Sequence, residues 1–172
     1  MTSRYESVIL WLAGHDLVPN RLRPWLLARA GHRVHASVVI FPGLRMTGEG
    51  RLTVERNAFL SNDCLIDCSA DVTIGADVAI GARASLISSG HDLSHPGRRA
   101  GARTMQPIVI GDGAWLGAGS TVLPGLSVGP GVVVAAAAVV TRSCAEHGLY
   151  AGVPARRVRD LPVDRPGRLE PR

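Results

Sequence analysis

Aliphatic side chains recur at every sixth position through most of this chain, and this period limits its fold more than any other feature. The last six follow one another in unbroken register, and earlier groups of three keep the same step. Two steps, 46 to 54 and 66 to 74, span eight residues, so each carries a two-residue insertion. A six-residue period is too long for a helix or a simple strand and fits a short strand followed by a tight corner. The positions are Val34, Ile40, Met46, Val54, Leu60, Ile66, Ile74, Ile80, Leu86, Ile110, Leu116, Val122, Val128, Val134 and Val140.

The residues between these aliphatic positions indicate how such units stack. A glycine often follows the aliphatic residue, and we expect it to permit the corner. Four residues after the aliphatic position, a small or medium side chain is expected to fill the core beside it. The glycines are Gly75, Gly81, Gly111, Gly117 and Gly129, and the fillers are Val78, Ala84, Ala114, Ser120, Val132 and Ala138. One unit cannot bury its apolar side alone, so we predict stacked units that share one aliphatic ladder from Val34 onward.

Residues 1–33 differ from the repeats and form a predicted helical cap over the open end of the core. The stretches YESVILWLAG and NRLRPWLLARAG predict two short helices, the second of which begins near Asn20 and ends at Gly31. The second helix has the apolar residues Trp25, Leu26 and Leu27 and the basic residues Arg21, Arg23 and Arg29. Because basic residues flank apolar ones, weak contact with a membrane surface remains an alternative to simple capping.

Composition sets the broad class of the chain. Its 172 residues suit one domain, and with 46% apolar but only 4% aromatic residues the core must be built from small and branched aliphatics. The net charge is +5 and all 19 basic residues are arginine, yet we find no nucleic-acid-reading motif, so nucleic acid is not an expected partner. The three cysteines lack zinc spacing, no signal peptide is evident, and no apolar run is long enough to span a bilayer, so we expect a cytoplasmic protein with buried thiols.

Two stretches near the C-terminus resemble one protein family. They read PIVIGDGAWLGAGSTVLPGLSVGPGVVVAAAAVVTR and AGVPARRVRD, and they are similar to the bacterial hexapeptide-repeat acyltransferases, in the maltose, galactoside and polysaccharide O-acetyltransferase branch. The stretch LRPWLLARAGHRV resembles the lead-in of the polysaccharide-modifying members. The resemblance implies an all-β fold, a single-stranded left-handed parallel β-helix over residues 34–159. It also implies a homotrimer that binds acetyl-CoA between neighbouring subunits.

The repeat breaks at residues 91–107, HDLSHPGRRAGARTMQP, which we predict to be a loop extruded from the β-helix. His91 is expected at its root, where the last regular turn ends. A thioester is already activated, so acyl transfer chiefly needs a base for the acceptor hydroxyl, and a neutral imidazole serves near neutral pH. By resemblance His91 is the general base, and Arg98 or Arg99 is the arginine of the loop, which contacts substrate. The alternative is a solvated loop histidine, which is also how we interpret His95.

A second match falls on FLSNDCLID. By resemblance Asn62 hydrogen-bonds the acceptor near the catalytic histidine, since an amide can both accept from and donate to a hydroxyl. The alternative is a corner asparagine in the left-handed conformation. Asp67 is interpreted as a corner or structural residue.

The C-terminal third supplies the implied acetyl-CoA site. Trp115 would wall the groove, small residues would leave room for the pantetheine arm, and basic residues would meet the phosphates. The cofactor-binding residues implied by the resemblance are Trp115, Gly117, Ala118, Ala136, Thr141, Arg142, Arg156 and Arg159. Plain packing and a solvated basic tail are the alternatives for the alanines and the terminal arginines. Residues 135–138 are all alanine where the family has two glycines, and residues 160–172 are predicted to form a flexible tail.

These features favour an acetyl-CoA-dependent O-acetyltransferase that acts on a hydroxyl of a sugar, a glycan or a natural product. A sugar N-acetyltransferase of the same fold and a non-catalytic repeat scaffold are the alternatives. A zinc carbonic anhydrase on this fold needs three converging histidines, and only His91 and His95 lie near each other in sequence, so no metal is expected.

Overall fold

The computed structural model describes residues 4–163, which form a parallel β-helix of triangular cross-section with two short helices at its N-terminal end. The helices are α1 (Arg4–Gly14) and α2 (Arg23–Arg29), and a 3-10 turn at Asn20–Leu22 leads into α2. The chain then winds through three sheets in a fixed order, one short strand in each per coil.

The first sheet contains β1 (Arg33–Val34), β4 (Leu52–Val54), β7 (Val72–Ile74), β12 (Ile108–Ile110) and β15 (Ser127–Val128). The second contains β2 (Val39–Ile40), β5 (Phe59–Leu60), β8 (Ala79–Ile80), β13 (Trp115–Leu116), β16 (Val133–Val134), β18 (Gly148–Ala151) and β19 (Arg156–Asp160). The third contains β3 (Arg45–Thr47), β6 (Leu65–Asp67), β9 (Ser85–Ile87), β14 (Thr121–Val122) and β17 (Val139–Val140). A separate hairpin pairs β10 (Ser89–His91) with β11 (Arg103–Met105).

The predicted aliphatic ladder is confirmed. In the first sheet Ile74 pairs in parallel with Ile110, and Ile110 pairs with Val128 on the next coil. Thirteen of the fifteen predicted positions are buried, and the other two, Val34 and Met46, belong to the first coil and are half-buried. We call each aliphatic residue of the ladder a rung. Burial of one rung contributes about 1.5–3 kcal/mol to stability before the entropy of ordering is counted, so the ladder is the main source of stability.

The predicted role of the glycine that follows each rung is wrong. The left-handed corner residue lies three positions after the rung, as at Asp63, Gly119 and Ala137, whose φ angles are +59°, +68° and +57°. The glycine directly after the rung instead faces the backbone of the next coil. A Cβ on Gly117 would lie 2.5 Å from the backbone nitrogen of Ala136. Close stacking of coils, and not corner freedom, therefore excludes a side chain there.

Arg23 holds the cap together from inside. It is fully buried, and its guanidinium donates to the carbonyls of Ala13, His15 and Val18 at 2.6, 2.9 and 2.7 Å. These carbonyls lie in and just after the last turn of α1, where backbone acceptors lack helical partners. Arg23 is therefore not one of the surface cations that the sequence predicted beside the apolar residues of α2.

The apolar side of α2 differs from the prediction at one residue. Leu27 is buried and Leu26 packs against the core, but Trp25 is 58% exposed and carries the guanidinium of Arg29 over its ring at 5.4 Å. Two residues along a helix are on nearly opposite sides, so Trp25 and Leu27 cannot share a face. No helix within residues 4–163 has the length and apolarity required to cross a membrane.

The C-terminal end of the described chain is an antiparallel pair, β18 with β19. Arg157 on β19 lies over the Tyr150 ring at 5.7 Å and forms an ion pair with Asp160 at 2.7 Å. It also donates to the carbonyls of Ala145 and Glu146. The chain up to Asp160 is thus an ordered strand, and residues 164–172 of the predicted tail lie outside the described residues.

Candidate active site

The break in the repeat is a β-hairpin rather than an irregular loop. Its stem pairs Ser89 with Met105 and His91 with Arg103, and residues 92–102 form the tip. It leaves the β-helix between the third sheet and the first, and we call this edge the hairpin corner. His91 is exposed at the outer end of the stem and does not lie on the last coil residue, where the sequence had placed it. Its position therefore depends on how the hairpin is held.

One ring nitrogen of His91 has a defined partner. Nδ1 lies 3.0 Å from the carbonyl oxygen of Gly101, which can only accept, so Nδ1 carries the proton in this bond. The neutral ring then presents an unprotonated Nε2, which is the form a general base requires. Gly101 is held in turn by Asp92, whose backbone oxygen accepts from the Gly101 N–H at 3.0 Å.

Gly101 is a residue that sequence reasoning missed. A Cβ added there would lie 2.7 Å from the Asp92 carbonyl oxygen, so only glycine allows the two sides of the hairpin to approach this closely. The signal was present in the sequence as a glycine ten residues after the histidine, inside a segment with no repeat to explain it.

Arg98 and Arg99 both lie in the exposed hairpin tip. Arg99 donates to the carbonyl of Leu93 at 2.7 Å, and Arg98 donates to the carbonyl of Ala100 at 3.3 Å. Each guanidinium has five N–H donors, so these bonds leave further donors open to solvent. The two arginines stabilise the tip and keep a positive charge beyond His91.

A buried carboxylate lies beneath the hairpin. Asp67 is 7% exposed, and its Oδ2 accepts from the backbone N–H and the hydroxyl of Ser89 at 3.0 and 2.5 Å. Its Oδ1 accepts from the N–H and hydroxyl of Ser69 at 3.0 and 2.5 Å. Burial alone would raise the pKa of Asp67, but the hydrogen bonds from Ser69 and Ser89 outweigh it and hold this pKa below its usual range.

Sequence reasoning treated Asp67 only as a structural residue and did not identify its serine partners. A usable signal was its position directly after the rung Ile66, where the neighbouring coils of the third sheet carry the uncharged residues Thr47 and Ile87. An acidic residue at such a position must be satisfied by local donors, because an unpaired buried carboxylate is costly.

Asn62 belongs to a column of stacked residues between the second and third sheets, and we call this edge the alanine corner. After Pro42 of the first coil, the column is Asn62, Ala82, Ala118 and Ala136. Each carbonyl but the last accepts from the next coil: Asn62 from Arg83 at 2.8 Å, Ala82 from Gly119 at 2.8 Å and Ala118 from Ala137 at 2.9 Å. Asn62, Ala118 and Ala136 are exposed. The small side chains of the two alanines therefore line an open strip of surface on the same edge as the side-chain amide of Asn62.

The left-handed residue at this corner is Asp63, with φ of +59°, and not Asn62. The alternative that Asn62 is present for its left-handed conformation is therefore wrong. Gly117 is buried beneath the alanine corner, where it packs against the next coil and offers no side chain to a ligand.

The remaining predicted residues lie on other surfaces. Trp115 is 55% exposed on the second sheet, between Ala79 and Val133. Thr141 and Arg142 are exposed just after β17, at the hairpin corner, whereas Arg156 and Arg159 are exposed on β19.

Within one chain, the predicted site residues are thus not all brought together. His91, Thr141 and Arg142 belong to the hairpin corner, while Asn62, Ala118 and Ala136 belong to the alanine corner, with the third sheet between them. Two candidate half-sites therefore lie on neighbouring edges of the triangular β-helix.

A cavity of about 680 Å³ lies elsewhere, between α1 and the first coil. Trp11, His15, Asp16 and Arg45 are among its lining residues, and it includes none of the predicted site residues. Within the described part of the chain, no group of three or more histidine, cysteine, aspartate or glutamate side chains is arranged to hold a metal ion.

Comparison with known proteins agrees with this architecture. Residues 107–142 match the family of bacterial transferase hexapeptide repeats, six repeats in all. WcaF of Escherichia coli, named as an acetyltransferase of colanic acid biosynthesis, is 31% identical over 140 residues, which cover 81% of this chain and 75% of WcaF. Galactoside O-acetyltransferase of Escherichia coli is 32% identical over 108 residues, which cover 63% of this chain and 53% of that enzyme.

A solved structure extends the likeness. The hexapeptide-repeat acetyltransferase of Vibrio cholerae, crystallised with acetyl-CoA, superposes with a TM-score of 0.80 at 26% identity and covers 92% of this chain and 86% of that one. The chain spans three quarters of WcaF but only about half of the galactoside enzyme. From the stacked six-residue rungs, the hairpin and these matches, the chain belongs to the bacterial hexapeptide-repeat acyltransferases.

Proposed function

We propose that this protein transfers an acetyl group from acetyl-CoA to a hydroxyl of a sugar or glycan, with His91 as the general base. The observation that carries the proposal is the bond between Nδ1 of His91 and the Gly101 carbonyl on an exposed hairpin, which makes Nε2 the accepting nitrogen of the neutral ring. The relatives named for galactoside and colanic acid acetylation support the substrate class, and the acetyl-CoA complex of the Vibrio cholerae structure supports the donor.

The chemistry is a direct transfer. Nε2 of His91 takes the proton of the acceptor hydroxyl as its oxygen attacks the thioester carbon, and a C–O bond forms. The C–S bond then breaks, and the departing sulfur takes the proton back from the imidazolium, which yields free CoA and the acetyl ester. A backbone N–H near a coil corner would stabilise the oxyanion. No covalent bond to the protein is needed.

We further propose that the acting unit is a homotrimer in which each site is shared. The alanine corner suits the pantetheine arm, because its exposed small side chains leave room for a narrow chain. Asn62 and His91 lie at different corners of one chain. In a threefold ring, the alanine corner of one subunit could face the hairpin of its neighbour, and this would bring Asn62 of one subunit close to His91 of the next. Arg142, Arg156 and Arg159 then supply cations for the CoA phosphates.

The base assignment is tested by CoA release from acetyl-CoA in the presence of methyl galactoside, maltose or glucosamine. We expect His91→Ala to lower the rate roughly 10²–10⁴-fold with the fold intact. His95→Ala, in the exposed tip that follows His91, is the matched control and should keep the wild-type rate. A His91→Ala variant as fast as wild type would reject the base. Acetylation of glucosamine at nitrogen alone would favour the N-acetyltransferase alternative.

The shared site is tested by co-expressing Asn62→Ala chains with His91→Ala chains. Mixed trimers contain some interfaces where an intact Asn62 meets an intact His91, so we expect more activity than from either variant alone. Each variant co-expressed with a differently tagged copy of itself is the control. If the site lies within one chain, every chain in the mixture has a defect and activity is not recovered.

A further inference from the structure

We propose that Asp67 is a positioning residue for His91, because its buried carboxylate fastens both strands of the hairpin to the coil beneath. This inference deepens the proposed function and rests on it for its catalytic consequence. The mechanical part, that Asp67 sets the position of the hairpin, stands on contacts that do not depend on the reaction.

The first strand is held directly. Ser89 opens β10, two residues before His91, and it gives both its N–H and its hydroxyl to Oδ2 of Asp67. The preceding residue, Ser88, is fully buried and donates its hydroxyl to the Asp67 backbone oxygen at 2.5 Å. Asp67 therefore binds Ser88 through its backbone oxygen and Ser89 through its carboxylate, at the start of the strand that ends at His91.

The second strand is held through a serine. Ser69 donates its N–H and hydroxyl to Oδ1 of Asp67, and the Ser69 hydroxyl oxygen accepts from the guanidinium of Arg103. Arg103 is the residue directly opposite His91 in the hairpin ladder. The Asp67 carboxylate is thus connected to both strands of the hairpin, through Ser89 to the strand that carries His91 and through Ser69 to Arg103 opposite His91.

Among the described residues, apolar packing does little to hold the hairpin. All three residues of β11 are exposed, and His91 is exposed at the end of β10, so apolar burial contributes little to the position of the stem. Hydrogen bonds to an ionised, buried carboxylate are roughly twice as strong as bonds between neutral groups. The Asp67 cluster is therefore the main tether of this element.

The cluster requires a carboxylate. Four N–H and O–H groups of Ser69 and Ser89 converge on its two oxygens, and all four donate. An asparagine would keep one accepting oxygen and direct an NH₂ group at the donors of the other serine, so one strand would lose its tether. An alanine would remove the carboxylate's bonds to both serines and leave only the bond from Ser88 to the main-chain oxygen of residue 67.

The test compares Asp67→Asn and Asp67→Ala with Asp112→Asn, whose carboxylate also joins two coils, at 2.9 Å to the Ala76 N–H, but lies away from the hairpin. Hydrogen exchange is read at the N–H groups of Asp92 and Gly101, which are bonded within the hairpin, and at core amides of the ladder. Turnover is read with acetyl-CoA and methyl galactoside.

We expect exchange at Asp92 and Gly101 to speed up at least tenfold in Asp67→Asn and further in Asp67→Ala, with the ladder amides and the Asp112→Asn protein unchanged. The kcat should fall roughly 10–100-fold while the KM for acetyl-CoA stays constant, because a displacement of the base by about 1 Å costs a rate factor of that order. Because a smaller folded fraction would also lower the apparent kcat at constant KM, turnover is normalised to the folded fraction, and unchanged exchange at the ladder amides shows that the fold is intact.

Unchanged hairpin exchange in Asp67→Ala would overturn the inference, as would equal acceleration of hairpin and ladder amides, which would mark Asp67 as a general stability residue. Faster hairpin exchange with an undiminished kcat would overturn the positioning role. If wild-type protein releases no CoA with any acceptor, the proposed function fails, and the exchange data still decide whether Asp67 tethers the hairpin.

Discussion

Ala137 occupies the corner position that Gly119 occupies one coil earlier, and both residues are in the left-handed region, with φ of +57° and +68°. Their backbones are joined into the same column, since the Ala137 N–H donates to Ala118 and the Gly119 N–H donates to Ala82. The chain therefore places an L side chain in a conformation that costs roughly 1–2 kcal/mol for residues other than glycine.

This pair predicts opposite effects of reciprocal substitutions. Ala137→Gly should raise the free energy of unfolding by about 1 kcal/mol, and Gly119→Ala should lower it by a similar amount. A Cβ at Gly119 meets nothing within 4 Å, so its effect is conformational and not steric. Urea unfolding of the two variants measures both changes, and a destabilised Ala137→Gly protein would contradict the strain argument.

The ladder predicts that Val128→Asp does not fold. Val128 is a buried rung of the first sheet, and an unpaired carboxylate there costs several kcal/mol, of the same order as the total stability of a domain. Val109→Asp is the matched control, because Val109 is exposed on the neighbouring strand β12. Thermal melts followed by circular dichroism distinguish them, and a cooperative, wild-type-like melt of Val128→Asp would refute the buried ladder.

Arg23 predicts a stability effect from a buried charged residue that donates to three backbone carbonyls. Arg23→Ala removes three hydrogen bonds and leaves the carbonyl of Ala13 buried without its donor, so we expect a loss of about 2–3 kcal/mol. Arg21→Ala, at an exposed position in the adjoining turn, should change stability by less than about 0.5 kcal/mol. Equal melting temperatures for the two variants would show that Arg23 does not hold the cap.

The buried thiols predict how stability depends on alkaline pH. Burial raises the pKa of Cys68 to about 12 and those of Cys64 and Cys144 to about 11. An unfolded thiol ionises near pH 8.5, so below that pH the shift costs nothing, and stability falls as the pH rises from about 8.5 toward the folded pKa.

Urea midpoints measured between pH 7.5 and 10 test this expectation. The decline should be smaller in Cys68→Ala, which removes one of the three shifted groups. A thiol reagent should label the native protein only as fast as it unfolds, because Cys64, Cys68 and Cys144 are all buried. Rapid labelling of the native protein at pH 8 would contradict the burial.

The sequence alone determined a core of stacked repeats, because its information is periodic. Six-residue spacing with two insertions predicted a continuous ladder of aliphatic rungs, which the structure shows in pairs such as Ile110 with Val128, three six-residue steps apart. The break at 91–107 was also visible as a departure from the period, and it is part of the reason why His91 is predicted to act there.

Only the tertiary structure decided how the hairpin is held and where the predicted site residues lie. The contact of Asp67 with Ser89 joins residues 22 positions apart, and that of Ser69 with Arg103 joins residues 34 apart. Neither separation is a multiple of the six-residue step, because Ser89 and Arg103 belong to the hairpin, which departs from the repeat. The division of Asn62 and His91 between two corners likewise follows from the winding of three sheets, which sets the direction of each side chain and which no linear pattern records.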